Sequence, residues 1–220
     1  MTEYCAIIPD RGDRPEFTEH CLERLRVIST ELPFDLGIVH VDYPPFGNSF
    51  DLIERIKTGI KQAKHWGFTK AFIVENDDWY SPEYFKPFDE DFVGYSDTIY
   101  YHIKNKTWEQ TFHAQHSSLF STAFKIAAMA TFKWPRPDSV FLDIGIWKYA
   151  INYKFRLEKE NPNIGIKHGM GLCGGMGHRQ TFPFKDYEMK WIKSKVDEQS
   201  FELYKELGSR TFDVHNLVRK

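Results

Sequence analysis

Short apolar runs alternate with amphipathic segments in the first third of the chain. The apolar runs at 4–9, 36–41 and 70–75 predict three strands. Helices are expected from about residue 16 and about residue 50, because apolar positions there recur every three or four residues. Strand, helix, strand, helix, strand with crossover-length connections predicts an α/β fold, with a parallel sheet covered by helices on both faces.

The pattern after residue 90 is less regular. Residues 98–103 and 153–157 predict two further strands, whereas 119–132 predicts a segment that is partly helical. A hard break at 134–137 (WPRP) precedes a predicted helix that contains 141–151.

Length and composition indicate a single domain. The 220 residues contain no internal repeat, and an imperfect helical stripe begins near residue 185. We therefore expect one domain over 1–220, with residues from about 185 forming a C-terminal helical tail packed on it. A formal net charge of -2 provides no global basic field for nucleic acid or anionic lipid.

Cysteine usage and hydropathy bear on the compartment. The three cysteines form no CxxC pair, which argues against a disulfide framework and a structural zinc site and is typical of a reducing compartment. The N-terminus lacks a signal-peptide pattern, and no apolar stretch approaches the length of a membrane span. We expect a cytoplasmic protein of a bacterium or of a virus- or phage-infected host cell.

Polar residues follow each of the first three predicted strands, at 10–14, Asp42 and 75–78. The carboxyl ends of parallel strands meet at one edge of a sheet, where ligands of such folds bind. Crowded carboxylates repel one another, and a divalent cation such as Mg²⁺ or Mn²⁺ would offset their charge while also binding phosphate oxygens. A solvated acidic turn before Ser81 and Pro82 is the alternative interpretation.

Two segments carry a family resemblance. AIIPDRGDRPEFTEHCLERL, from residue 6, followed by AFIVENDDWYSPEYF, from residue 71, resembles the nucleotide-sugar-dependent glycosyltransferases of the GT-A fold, especially family 2-like members. Those enzymes open with an apolar strand and an arginine-containing turn, and a later strand ends in an acidic DxD-type motif. The resemblance spans roughly 4–178 and implies a Rossmann-like, mostly parallel sheet. A strict DxD is absent here, since the motif reads Asn76-Asp77-Asp78.

The resemblance implies transfer of a hexosyl or pentosyl unit from a nucleoside-diphosphate sugar, with a UDP-sugar favoured, to an acceptor hydroxyl with inversion. A Mn²⁺ or Mg²⁺ ion would stabilise the departing diphosphate as a Lewis acid. Asp78 is the expected ligand of that ion. The donor-binding candidates are Pro9, Arg11, Arg14, Asp42, Asn76, Asp77 and Lys167. For the two arginines of the first turn, an internal turn network with Asp10 and Asp13 is the alternative.

Inverting transfer also needs a base that takes the proton of the acceptor hydroxyl. In the resembling enzymes this base is an acidic residue at the start of a helix after the metal motif, which implies Asp143, with Asp138 as the second candidate and a helix cap as its alternative role. A histidine beyond that helix serves as a further metal ligand, which implies His168 or, as the alternative, His178. The glycine-rich stretch around these histidines favours a lid over the donor.

The acceptor is open between a saccharide and a hydroxymethylated base in DNA of the phage type. Aromatic side chains between the metal motif and the base are able to stack on either, and core packing is the alternative role for them. These residues are Tyr80, Tyr84, Tyr100, Tyr101, His102, Trp108, His113 and His116. Two other functions remain open, a sugar-nucleotidyltransferase and a noncatalytic nucleotide- or carbohydrate-binding protein. The turn PDRGDRPE is a poor match to the glycine-rich loop of the former.

Overall fold

A computed structural model describes residues 3–44, 51–136, 139, 141–169 and 180–210. The strands in these ranges are β1 (Tyr4–Pro9), β2 (Leu36–Val41), β3 (Lys70–Ile73), β4 (Phe92–Tyr95), β5 (Asp97–His102), β6 (Thr107–Phe112), β7 (Ala123–Lys125), β8 (Phe155–Glu158), β9 (Ile164–Lys167) and β10 (Phe184–Lys185). The α-helices are α1 (Pro15–Glu31), α2 (Leu52–His65), α3 (Leu142–Ala150), α4 (Lys190–Lys193) and α5 (Glu198–Ser209). Short 3-10 helices span Pro82–Tyr84, Leu119–Ser121 and Ile126–Thr131.

The main sheet has six strands in the order β2-β1-β3-β7-β4-β8. The pairs β1–β2, β1–β3 and β4–β8 are parallel, while β7 pairs antiparallel with both β3 and β4. The predicted α/β fold with a mostly parallel sheet is therefore confirmed. The segment 119–132, expected to be partly helical, contains the 3-10 helices Leu119–Ser121 and Ile126–Thr131, with the antiparallel strand β7 between them.

Both faces of the main sheet are buried. All six residues of β1 are buried, as expected for a strand covered on both sides. Residues of α2 and α3 share one core cluster with Cys5 and Ile7, whereas Ala6 and Ile8 project from the opposite face and are equally buried. A Cβ atom at Gly59 of α2 would lie 2.4 Å from Ile7 Cγ2, so this glycine allows α2 to approach β1 closely.

The strand register determines where the polar residues after β1, β2 and β3 begin. In the parallel pairs Pro9 lies beside Val41, and Ile7 lies beside Ile73. The backbone N–H of Asp10 donates to Val41 O at 3.0 Å, and that of Val74 donates to Ile7 O at 3.0 Å. The polar residues after β1, β2 and β3 therefore begin at the same edge of the sheet.

The chain forms two compact units. The first contains Met1–Ile99 and Gln110–Gly165, and it holds the whole main sheet. The second contains Tyr100–Glu109 and Ile166–Lys220, with α4, α5 and the pairing of β10 with β6. A smaller sheet has the strand order β10-β6-β5-β9. The single-domain organisation and the packing of the C-terminal tail stay predictions.

No helix in the described ranges is long and apolar enough to cross a membrane.

Candidate donor and catalytic site

Asp10 is the centre of a hydrogen-bond network at the sheet edge. Its Oδ1 accepts hydrogen bonds from the backbone N–H of Gly12 and from Nδ2 of Asn76, each at 2.9 Å. Its Oδ2 accepts from Thr18 Oγ1 at 3.1 Å and lies 2.9 Å from His40 Nε2. Asp10 is buried. Through these four contacts its carboxylate connects residues near the ends of β1, β2 and β3 with the first turn of α1.

Asp10 and His40 form an ion pair in which each favours the charged form of the other. Burial raises the pKa of Asp10, but hydrogen bonds from His40, Gly12 and Thr18 outweigh it, and the pKa falls below its ordinary value. The hydrogen bond to Asp10 raises the pKa of His40 against the opposing effect of burial, and the charge of Asp42 adds to the rise. The carboxylate of Asp42 lies 3.9 Å from His40 Nδ1.

This pair predicts a defined dependence of stability on pH. The lowered pKa of Asp10 stabilises the folded protein at pH values above the unfolded-state pKa of about 3.9. This stability is lost as pH falls through the folded-state pKa. The raised pKa of His40 gives stability that is full below an unfolded-state pKa of about 6.5 and is lost as pH rises through the folded-state value. The free energy of unfolding that His40→Gln removes should therefore be largest between these two unfolded-state values and should shrink toward pH 9.

Urea denaturation of both proteins at pH 5.5 and pH 9 measures that difference. His65→Gln is the matched control, since His65 is exposed at the end of α2. A His40→Gln deficit that is equal at the two pH values, or one no larger than that of the control, contradicts the prediction.

Arg14 offsets the negative charge that follows β3. Its Nη1 forms an ion pair with Asp77 Oδ2, and its Nε lies 3.4 Å from Asp13 Oδ1. Burial lowers the pKa of Arg14, but the carboxylates of Asp77, Asp13, Glu75 and Asp78 together raise it. The guanidinium is thus held as a permanent cation among four carboxylates. Of the alternative network with Asp10 and Asp13, the contact of Arg14 with Asp13 is present, and the ion pair with Asp77 was not part of it.

The acidic strand end has the chemistry for a hard cation. Asp78 is buried, and its backbone N–H donates to Glu75 O at 3.2 Å. Asn76 is buried as well, and its Oδ1 has no hydrogen-bond partner within the described ranges. Carboxylate and amide oxygens are the ligands that Mg²⁺ and Mn²⁺ prefer.

The described residues contain no group of three or more histidine, cysteine, aspartate or glutamate side chains arranged to hold a metal ion. The described residues therefore do not surround a metal ion with protein ligands alone. One or two protein oxygens together with substrate phosphates are a common arrangement for Mg²⁺. The residues at 76–78 fit an ion shared with a diphosphate.

A buried arginine from α2 fixes the backbone that follows β1 and β2. Arg55 is 1% exposed, and its Nη1 donates to the carbonyl oxygens of Asp10, Val41 and Tyr43, the last at 2.9 Å. Its Nη2 donates to Asp51 Oδ2 at 2.7 Å. The other oxygen of Asp51 accepts from Arg11 Nη1, also at 2.7 Å. Arg11, predicted to contact the donor, is therefore held by the start of α2.

An open cleft of about 600 Å³ lies beside this network in the first unit. It is lined by Asp10, Gly12, Pro15, Thr18, Glu19, Leu22, Arg26, His40 and Asp42. The side chain of Asp42 is 70% exposed, so its carboxylate is accessible to a ligand. Pro9, in contrast, is a buried residue at the end of β1. Of the donor-binding candidates, Asp42 is the one in the cleft lining, and Asp10 and His40 lie beside it.

Asp143 lies in the first turn of α3 with two histidines near it. Burial raises the pKa of Asp143, and the backbone N–H of Ile144 and the charges of His116 and His113 oppose the rise without cancelling it. The rings of the two histidines lie 4.3 Å apart between centroids. Burial and His116 lower the pKa of His113, with Asp143 opposing. Asp143 is therefore a half-buried carboxylate with a basicity above that of an ordinary aspartate.

The remaining candidates belong to the second unit or lie outside the described residues. Lys167 Nζ lies 4.9 Å from the centre of the Tyr100 ring, and His168 is buried. Asp138, His178 and most of the glycine-rich stretch lie outside the described residues.

Two of the aromatic acceptor candidates have core roles. Tyr80 and Tyr84 are buried, and burial raises the pKa of each hydroxyl. The backbone N–H of Glu75 donates to Tyr80 Oη at 2.7 Å, which helps to shape the acidic turn. The Tyr84 hydroxyl lies within hydrogen-bond distance of the carbonyl oxygens of Ile73 and Thr122. For these two residues the packing alternative is the observed one.

The solved structures that match the chain include two of a Drosophila galactosyltransferase and one of S. aureus TarS. The catalytic domain of Drosophila β1,4-galactosyltransferase 7 in complex with xylobiose matches with 10% identity and a TM-score of 0.49, over 100% of this chain and 80% of that chain. S. aureus TarS in complex with UDP-GlcNAc matches with 10% identity and a TM-score of 0.48, over 80% of this chain and 61% of that chain. A mutant of the Drosophila enzyme in complex with manganese, UDP-Gal and xylobiose matches with 10% identity and a TM-score of 0.42, over 100% of this chain and 80% of that chain.

The chain is similar to solved glycosyltransferase structures. No protein-family model and no curated protein matches the chain.

Proposed function

We propose that this protein is a metal-dependent glycosyltransferase that moves a sugar from a nucleoside-diphosphate sugar to an acceptor hydroxyl. The observation that supports this most is the meeting of three strand ends at Asp10. There a cleft with an accessible carboxylate, Asp42, adjoins the network that joins Asp10 to the acidic strand end through Asn76. In this proposal the cleft binds the nucleoside, and the acidic strand end binds the diphosphate with its cation.

The donor is proposed to bind along this edge. Asp42 would accept hydrogen bonds from hydroxyl or N–H groups of the nucleoside, and a UDP-sugar is the favoured donor. Asn76 and Asp77 would position the diphosphate and sugar, while Arg11 and Arg14 hold the turn after Pro9 through their ion pairs with Asp51 and Asp77. Lys167 is proposed as a further diphosphate contact.

A Mn²⁺ or Mg²⁺ ion is the proposed cofactor, held by Asp78 with His168 or, alternatively, His178. When bound, it supplies positive charge that stabilises the departing diphosphate. Asp143 is the proposed base. The acceptor oxygen forms a bond to the anomeric carbon, the bond from that carbon to the diphosphate breaks, and the hydroxyl proton passes to the Asp143 carboxylate. The product has inverted configuration at that carbon.

A hexosyl or pentosyl unit and a saccharide acceptor are the favoured substrates, and a hydroxymethylated base in phage-type DNA is the second acceptor class. A cytoplasmic location is proposed. Hydrolysis or transfer assays with a panel of UDP-, GDP- and dTDP-sugars, with and without Mn²⁺, test the proposal. Release of nucleoside diphosphate that depends on Mn²⁺ supports it. Turnover only with a nucleoside triphosphate and a sugar phosphate would identify a nucleotidyltransferase, and binding without turnover would identify a noncatalytic protein.

Asp78→Asn should reduce turnover by about 10²-fold or more, because it weakens the electrostatic stabilisation of the leaving group. Thermal unfolding without metal should change little, because removing one of several crowded carboxylates relieves repulsion. Asp89→Asn is the matched control, since the side chain of Asp89 is 94% exposed. Full activity of the wild-type protein in EDTA, or of Asp78→Asn with Mn²⁺, would contradict the metal role.

A further inference from the structure

Four aromatic rings form a continuous column in the second unit. Tyr101 stacks on Trp191 with ring centres 5.8 Å apart and planes inclined by 10°. Trp191 stacks on Trp108 at 4.4 Å and 7°, and Trp108 stacks on Phe184 at 4.5 Å and 28°. The column begins at a fully buried ring, Tyr101, and ends at Phe184, which is 50% exposed.

Asp186 fixes the buried part of this column. Its side chain is buried and accepts hydrogen bonds from the Tyr101 hydroxyl at 3.1 Å and from the backbone N–H groups of Trp191 at 3.0 Å and Ile192 at 3.1 Å. The exposed end is fixed by the sheet, because Phe184 pairs with Trp108 in the antiparallel ladder of β10 and β6. The terminal ring is therefore held in place before any ligand binds, which reduces the entropy that binding would cost.

A second exposed aromatic ring follows closely in sequence. Tyr187 is 65% exposed, and Lys185 Nζ lies 5.6 Å from the centre of its ring. The residues that follow Tyr187 in sequence carry both signs of charge, and Lys190 forms an ion pair with Glu188.

The composition of this surface distinguishes among occupants. Two exposed aromatic rings, separated in sequence by polar residues, provide little apolar surface for a protein partner, which needs roughly 800 Å² on each side. Single-stranded nucleic acid needs a groove of unpaired positive charge along its backbone. Here one lysine is paired with Glu188 and another lies near the Tyr187 ring. A neutral saccharide needs a fixed aromatic face for its C–H groups and polar side chains for its hydroxyls. Both are present here.

We propose that Phe184, at the exposed end of the aromatic column, is a binding platform for a neutral saccharide, with Tyr187 as a second contact. The role of that saccharide as an acceptor rests on the proposed function. Saccharide binding itself needs neither donor nor turnover. The binding platform can therefore be wrong while the proposed function is right, and the reverse.

Titrations with cellohexaose, chitohexaose and maltohexaose, followed by calorimetry, test the platform in the full chain. At least one should bind with a Kd of about 10 mM or tighter, and Phe184→Ala should weaken it about 3- to 10-fold, the loss of one aromatic contact. Phe184→Trp should retain binding. Phe112→Ala is the matched control, because Phe112 is 64% exposed on β6 but lies outside the column, and it should bind as the wild type does.

Circular dichroism of the stacked tryptophan pair checks that each variant keeps the column. If Phe184→Ala loses that signal, the comparison rests on Tyr187→Ala, which should weaken binding while leaving the column in place. Binding that is unchanged in both alanine variants overturns the proposal, as does the absence of binding by all three saccharides. A deoxythymidine oligonucleotide that binds in a manner sensitive to Phe184→Ala, when the saccharides do not bind, assigns the surface to nucleic acid instead.

Discussion

Asp143→Asn is expected to lower kcat by about 10²- to 10⁴-fold, the usual contribution of a general base. The amide keeps the size of the side chain but cannot take the proton of the acceptor hydroxyl. The donor cleft is lined by residues from the ends of β1 and β2 and from α1, so the Kd for the donor should stay within a few-fold of the wild-type value. Steady-state kinetics and calorimetric titration with the donor measure the two quantities.

The pH profile gives an independent test of the same role. Asp143 must be deprotonated to act as a base, so kcat should fall as pH decreases through the pKa of this group. Burial raises that pKa, so the fall should lie at higher pH than for an ordinary aspartate. Asp143→Asn should lose this limb, whereas Asp35→Asn, at an exposed site, should keep it. Loss of donor binding in Asp143→Asn would instead make Asp143 a donor-binding or structural residue.

Arg55→Met is expected to lower the free energy of unfolding by about 3 to 5 kcal/mol, the usual cost of removing one partner from a buried charge network. Methionine has a similar length but donates no hydrogen bond. The carbonyl oxygens of Asp10 and Tyr43 would lose this donor, and Asp51 would keep its hydrogen bond from Arg11. Urea denaturation measures the loss.

Lys61→Met is the matched control on the same helix, because Lys61 is exposed, and its effect should stay within about 0.5 kcal/mol. Arg55→Lys should lie between the wild type and Arg55→Met, since a lysine retains one charge but not the planar fork that reaches several carbonyls. A loss below about 1 kcal/mol in Arg55→Met would show that the carbonyl contacts contribute little to stability.

The first half of the main sheet was predictable because its signals are local. Periodic apolar positions define α1 and α2, and short apolar runs define β1, β2 and β3. β7 was not predictable in this way. It has three residues, and its conformation depends on pairing with β3 and β4, which are distant in sequence. The expectation of a partly helical segment at 119–132 did not include this strand, because long-range pairing decides the conformation of its three residues.

The same distinction applies to the candidate site. Parallel strand order placed Asp42 and the 75–78 segment at one edge, as the sequence pattern predicted. His40 and Arg55 were missed, although each carries a weak signal. Arg55 interrupts the apolar face of α2 between Ile53 and Ile56, where a charge needs a buried partner. His40 lies within a strand, and its pairing with Asp10 depends on the register of β1 and β2.

The position of β7 has a consequence for the protein during its synthesis. β1, β2 and β3 leave the ribosome first, but the strand that covers the free edge of β3 follows about 50 residues later. At roughly 5 to 20 residues per second, translation leaves that edge open for about 3 to 10 s. Its unpaired backbone groups are a template for strands of other nascent chains. This aggregation hazard therefore belongs to the growing chain, because β7 covers the edge of β3 in the finished sheet.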